Sequence, residues 1–175
     1  MRPTLSSILF ILILACTTSE AGAQERREIP AYREIGLAEN SQSRAELHSF
    51  LDAFRTAWGH EDTPALMALH VDDTEWINAY ARMFTDSNSL GRFLETRLFP
   101  NFAPGVSRME ADNMQAISIR LLGNDAAVIH LYTDGNRGPS VIEERELRRT
   151  HIHLVLTRVD ERWLIAHTAI MDARQ

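Results

Sequence analysis

The chain has 175 residues, 45% hydrophobic and 24% charged, a balance that excludes a disordered polymer and suits one globular domain with a single core. Its net charge is -6 at pH 7, and Arg2 and Glu20 cancel within the N-terminal leader, so the mature part stays as acidic. A negative surface attracts neither nucleic acid nor anionic membrane, which excludes both as partners.

Residues 1–23 read as an export signal, with Arg2 as the positive start and an apolar stretch over 5–15 that is too short to span a bilayer. No membrane span is expected. Ala21-Gly22-Ala23 before Gln24 has the small-x-small pattern of a signal peptidase site, which gives a periplasmic or secreted product. Alternatively, Ile13-Leu14-Ala15-Cys16 resembles a lipoprotein box that would anchor the chain through lipidated Cys16, although Leu14 is bulky for it. Cys16 is the only cysteine, so the folded domain has no disulfide framework, thiol catalysis or cysteine metal site.

Residues 24–42 are polar, mixed in charge and without sustained period, and read as a linker or a loosely docked arm. The domain proper, 43–175, opens at Ser43, which with Glu46 has the spacing of a reciprocal helix cap. Leu47, Phe50, Leu51, Phe54 and Trp58 then recur at three and four residues as one apolar helical stripe, with Gly59 where a helix stops. Thr63-Pro64 opens a short second helix through Leu69. Residues 74–80 alternate as a strand, placing Trp76, Asn78 and Tyr80 on one face. Residues 87–99 return to helical spacing through Leu90, Phe93, Leu94 and Leu98, and Pro100 ends that helix.

Four β-rich runs follow, 114–122, 126–133, 147–158 and 163–171, separated by Gly123-Asn124-Asp125, by residues 134–139 and by Asp160-Glu161. No long helix fits between them, so they are expected as neighbours in an antiparallel sheet, and helices first with meandering strands after predicts the α+β class. The runs are apolar on both faces, Ile152, Leu154 and Leu156 against Val155. One face meets the helices and the other needs its own cover, which a homodimer would provide.

Particular stretches sharpen this outline. Ala57-Trp58-Gly59-His60-Glu61-Asp62, the pair Asp72-Asp73, Glu75-Trp76-Ile77-Asn78 and the last hairpin from Val155 through Trp163 to His167 resemble, in order and spacing, SnoaL-like proteins of the SgcJ/EcaC type. These belong to the nuclear transport factor 2-like superfamily. The resemblance spans 43–172 and implies a cone-shaped fold, N-terminal helices packed on a curved antiparallel sheet, able to hold a small organic molecule. Two departures stand out: Ala81, Phe84 and Asp86 replace the family's usual glycine, tryptophan and glycine, and Glu161 replaces the turn glycine of the last hairpin.

Enzymes of that superfamily are isomerases, dehydratases and epoxide hydrolases that use an acid or a histidine inside the cone, so the resemblance directs attention to such groups. Asp73 and Glu75 read as solvated acids near turns. His151 and His153 share one strand face, and His130 with Tyr132 repeats the spacing on another strand, which makes His130 and His153 the candidate general bases. A metal held from adjacent strands is imaginable, yet counting back from a two-residue Asp160-Glu161 turn sets His167 opposite Leu154, facing away from His153; a bulged turn would reverse this. Half-buried histidines bonded to water or backbone are the plainer reading, and neither a metal nor a cofactor is assigned. For a ligand pocket the candidates are Asn78, Trp76, Tyr80, Trp58 and Tyr132, with Asn78 foremost because an amide between Trp76 and Tyr80 on an inward face needs partners. The expected function is an exported small-molecule-binding domain. The alternatives are a general-base isomerase, dehydratase or hydrolase, and a dimeric protein-assembly module.

Overall fold

The computed structural model describes residues 29–135 and 148–172, so the export signal, Cys16, most of the expected connection over 134–139 and the opening of the third β-rich run lie outside the described residues. The apolar stripe becomes α1 (Gln42–Gly59), which buries Leu47, Phe50, Leu51, Phe54, Ala57 and Trp58. Its cap is Ser41 rather than Ser43: the Ser41 hydroxyl accepts the Arg44 amide at 3.3 Å while its own backbone stays extended. Glu46, expected as the second half of a capping box, is drawn onto the last hairpin. There it accepts Trp163 Nε1 at 3.1 Å and pairs with Arg158 Nη2 at 3.1 Å. A charge-assisted bond with a second partner outcompetes a local cap.

After α1 come α2 (Thr63–Met67), capped by Asp62 with Pro64 in its first turn, then β2 (His70–Ile77), β3 (Met83–Phe84) and α3 (Ser87–Phe93). The expected helix over 87–99 does not run through as one α-helix. It widens to a π-helical turn at Leu94–Leu98 and tightens to a 3-10 turn at Phe99–Asn101, where Pro100 sits. A helix absent from the sequence reading, α4 (Val106–Asn113), precedes the strands and buries Val106, Ser107 and Glu110 along one side. The strands β4 (Gln115–Leu122), β5 (Ala126–Gly135), β6 (Arg148–Val159) and β7 (Arg162–Asp172) follow the four β-rich runs closely.

The polar arm contributes β1 (Arg33–Ile35), which lies parallel against β4. It is held to α1 by Glu34, whose carboxylate accepts Arg44 Nε at 2.6 Å, His48 Nε2 at 2.7 Å and Tyr32 Oη at 2.8 Å. Arg44 and His48 hold the Glu34 carboxyl well below the usual range, at about 2, against the opposing effect of burial. Among the described residues the sheet has seven strands in the order β1-β4-β5-β6-β7-β2-β3. The ladders from β4 to β7 are antiparallel as expected, while β1 on β4 and β2 on β7 are parallel, so the sheet is mixed.

Alternation decides its faces. Ala127, Ile129 and Leu131 of β5 pair with Leu156, Leu154 and Ile152 of β6, and all six join the helix side chains in one buried core. Irregular pairing at Ala116/Ser118, between His70 and Glu75, and at Val155/Leu156 marks the places where the sheet can bend around that core.

Two turns carry the cost of the departures seen in the sequence. Asp160 and Glu161 have φ of 47° and 60°, the left-handed pair of a two-residue hairpin turn, in which glycine would be unstrained. Between β2 and β3, Ala81 has φ of 59°, and the Asn78 side-chain oxygen accepts the amides of Tyr80 and Arg82 at 3.0 and 2.9 Å. Replacing Glu161 with glycine therefore raises stability by about 1 kcal/mol, visible as a melting temperature about 2–4 °C higher; an unchanged or lower value contradicts the strain. Asn78→Leu strips two amides of their acceptor and costs about 1–2 kcal/mol in denaturant unfolding, with no cost if the amide oxygen is not holding the turn.

Candidate functional site

The residues expected to line one pocket are not brought together. Trp76 is packed into the core between Phe84 and Phe93, with ring centroids 5.7 and 5.9 Å away. The strand ends at Ile77, so the alternation that placed Asn78 and Tyr80 beside Trp76 breaks; Asn78 organises the turn and Tyr80 is 73% exposed. Tyr132 is buried, but on the sheet face away from the helices, since Leu131 and Thr133 on either side of it point inward. Only Trp58 stands at the inner face beside groups with chemistry to offer.

Those groups centre on Glu110, whose side chain is 1% exposed. Helix α4 presents Val106, Ser107 and Glu110 inward, and the Ser107 hydroxyl donates to Glu61 Oε1 at 2.7 Å, fastening α4 to the end of α1. Trp58 Nε1 donates to Glu110 Oε2 at 3.0 Å, and the Thr133 hydroxyl donates to the Glu110 carbonyl at 2.6 Å. Gly135 gives the carboxylate stem room, because a Cβ there would stand 2.7 Å from Glu110 Cγ. Directly opposite Thr133, Thr150 of β6 is 1% exposed and its hydroxyl is buried with no hydrogen-bond partner among the described residues. One end of the inner face is thus polar, edged by Phe54, Phe99 and Phe102, whose rings lie 5.5 to 6.5 Å from Trp58. No residue pattern marks it: Glu110 lies in the run Met109-Glu110-Ala111-Asp112-Asn113, whose helical inward side shows only at Val106.

The histidines form a second constellation, on the outer face. His130 and His153 pair across β5 and β6 opposite the inward Ile129 and Leu154, so neither candidate base lies inside the cone. His130 Nε2 and His151 Nδ1 are 2.9 Å apart, one donating and the other accepting, and the His153 ring lies over His130 with centroids 4.1 Å apart. Burial first, then the charges of His153 and His151, lowers His130 to about 4; burial and then His153 lower His151, and burial alone lowers His153. The hairpin begins with the expected two-residue register, Leu156 opposite Ile165, but an extra residue, Ala166, sets Val155 opposite His167. His167 therefore shares the outer face with His153, against the expectation, and its Nδ1 lies 3.2 Å from Glu75 Oε2. Among the described residues no group of three or more His, Cys, Asp or Glu side chains is arranged to hold a metal ion.

Two shallow grooves lie elsewhere. One of about 390 Å³ runs between α1 and α4 past Arg55, His60 and Arg108, and one of about 290 Å³ runs beside Pro64 and Phe99. Neither is lined by a residue expected in the ligand pocket or as a general base.

No protein-family model matches the chain, and no curated protein does. Solved structures do. A ketosteroid isomerase-like protein from Erwinia carotovora atroseptica superposes with a TM-score of 0.64 at 14% identity, over 77% of this chain and 99% of its own. A nuclear transport factor 2-like protein of unknown function from Shewanella oneidensis gives 0.57 at 16% identity, over 75% and 100%. A putative calcium/calmodulin-dependent protein kinase II association domain from Xanthomonas campestris gives 0.57 at 12% identity, over 86% and 99%. Helices packed on one face of a curved mixed sheet, with neighbours of these kinds matched over nearly their whole length, establish that the chain has the nuclear transport factor 2-like cone fold.

Proposed function

We propose that the chain is an exported small-molecule-binding domain of the SnoaL-like kind, which holds an apolar ligand with a hydrogen-bonding end against the polar end of the cone's inner face. The observation that supports this is a buried carboxylate, Glu110, and, on the same inner face, a buried hydroxyl, Thr150, that has no hydrogen-bond partner among the described residues, beside an aromatic and aliphatic core. A dry hydroxyl without a partner costs about 1–3 kcal/mol, and a ligand group would satisfy it. Few polar groups on an apolar wall is the usual composition of a small-ligand site. Catalysis, under this reading, would use Glu110 as the acid-base group, because His130 and His153 stand on the other side of the sheet.

A second reading has its own observation. Val128, Val155 and Ala169 lie on the outer face with the histidines, and no helix among the described residues packs there. We take that face as the surface through which two copies pair.

Substitution at the inner face separates binding from folding. Thr150→Val removes an unsatisfied hydroxyl, so its melting temperature is expected to hold or rise, while retention of a co-purified small molecule, read by native mass spectrometry, falls about tenfold. Glu110→Gln keeps an acceptor for Trp58 and is expected to weaken retention as well. Equal retention by both variants and the wild type, or a wild type that neither carries a molecule nor is stabilised by steroid-sized hydroxylated compounds, rejects the binding reading. For export, intact mass after expression with the native leader is expected to show a chain beginning at Gln24; a lipid-modified Cys16 would replace the soluble product with an anchored one.

A further inference from the structure

The histidine cluster occupies the middle of the sheet. β5 and β6 are the third and fourth of seven strands, and on their outer face His130 stands opposite His153 while Tyr132 stands opposite His151. In the neutral state His130 and His151 satisfy one nitrogen each: one donates and the other accepts. A neutral imidazole has one donor and one acceptor, so a patch of them complements a second patch of the same kind across a two-fold axis. The chain's net charge of -6 makes two copies repel each other over most of their surface, which leaves an uncharged strip as the natural line of approach.

We propose that His130, His151 and His153 make the pairing of this face with a second copy of the chain acid-labile: neutral imidazoles admit the partner copy, and protonated ones expel it. The inference rests on the reading that the outer face pairs with a second copy, and adds to it a means of control.

Among the described residues no carboxylate stands against these rings to hold an imidazolium. On β4, Ser118 stands opposite His130 and Gln115 opposite Tyr132, with Arg120 further along opposite Val128. On β7, Ala169 stands opposite His153 and Met171 opposite His151. Beyond Tyr132 on β5, Asp134 pairs with Arg149 of β6, and its carboxylate lies 3.4 Å from Tyr132 Oη. Another carboxylate on this face, Glu75 of β2, lies beside His167, at 3.2 Å. Among the described residues none of the three clustered rings has a carboxylate within hydrogen-bonding distance, and all three are already harder to protonate than a free histidine.

The chemistry gives the release its shape. A first proton on the His130–His151 pair leaves one ring still accepting from the other, so the hydrogen bond survives. A second makes both nitrogens donors and breaks it. Covering the face with another copy removes more water and suppresses protonation further, so the dimer binds fewer protons than two monomers. By linkage, acid then favours the monomer, and several protons taken up together make the transition steep.

The test is sedimentation velocity with far-ultraviolet circular dichroism on the purified chain at about 50 μM, between about pH 7.5 and about pH 4.5. The wild type is expected to pass from dimer to monomer, with the dimer dissociation constant rising at least about 100-fold and the dichroism unchanged. The triple variant His130→Gln, His151→Gln, His153→Gln is expected to stay dimeric throughout. His153→Gln alone, which leaves the His130–His151 bond in place, should shift the midpoint to lower pH and serves if the triple variant does not fold. His167→Gln, at the Glu75 pair, should dissociate as the wild type does. A dimer indifferent to pH overturns the inference, as does a folded triple variant that still dissociates, or dissociation that tracks loss of dichroism; each of these leaves the pairing reading standing. A wild type that is monomeric at every pH overturns the pairing reading and the inference with it.

Discussion

Two-residue alternation across the β5–β6 ladder governs the rest of the molecule. It turns Ile129, Leu131, Ile152 and Leu154 toward the helices and, with the same regularity, turns His130, His151 and His153 away from them. The alternation would fail in β7 without Ala166. Trp163 and Ile165 point inward, so an unbroken strand would bring His167 inward too and turn Thr168 out; the extra residue switches the phase, keeps Thr168 buried and returns His167 to the outer face. One bulged residue therefore decides whether a titratable ring is placed in the core.

Two similar contacts hold the helices, one to this sheet and one to each other. Trp163 of β7 donates its indole N–H to Glu46 of α1, and Trp58 of α1 donates to Glu110 of α4. In each case a tryptophan too large to bury without a partner for its N–H finds a carboxylate, and the carboxylate finds a donor where water is scarce. The Glu46 contact is at the outer end of the hairpin and takes Arg158 as a further partner, which makes it a tether. The Glu110 contact lies on the inner face with a neighbouring hydroxyl that has no partner among the described residues, which is why the proposed ligand is set there.

Much of this was legible before any coordinates. The stripe from Leu47 to Trp58 gave α1 nearly to the residue, and the turn residues set off β4 to β7 with boundaries within a few positions, because both signals are local periodicities. The site was not legible, for reasons that are also local. Asn78 looked inward only on the assumption that the strand continued, and the strand ended one residue earlier when the amide took over the turn. His167 was placed on the wrong face because a bulge inside a strand leaves no mark as plain as a glycine turn. Glu110 was passed over because a charged residue in a polar run is ordinarily solvated; only packing of α4 against Gly135 shows that it is not.

The same strand carries both constellations. Thr133 and Gly135 of β5 support Glu110 from the inner side, while His130, Tyr132 and Asp134 of that strand stand on the outer side. Because β5 is bonded to β4 on one edge and β6 on the other, it cannot rotate to favour one face without breaking a ladder. Charge placed on the outer histidines would therefore be felt at Glu110 mainly as a field through the sheet, weakened by distance and by solvent, and not as a rearrangement. The proposed ligand binding and the proposed pairing would by this argument be close to independent, unless the sheet itself bends. The irregularity at Ala116/Ser118 lies on the β4 edge of the shared strand and that at Val155/Leu156 one strand further on, between β6 and β7, and they are where such bending would have to occur.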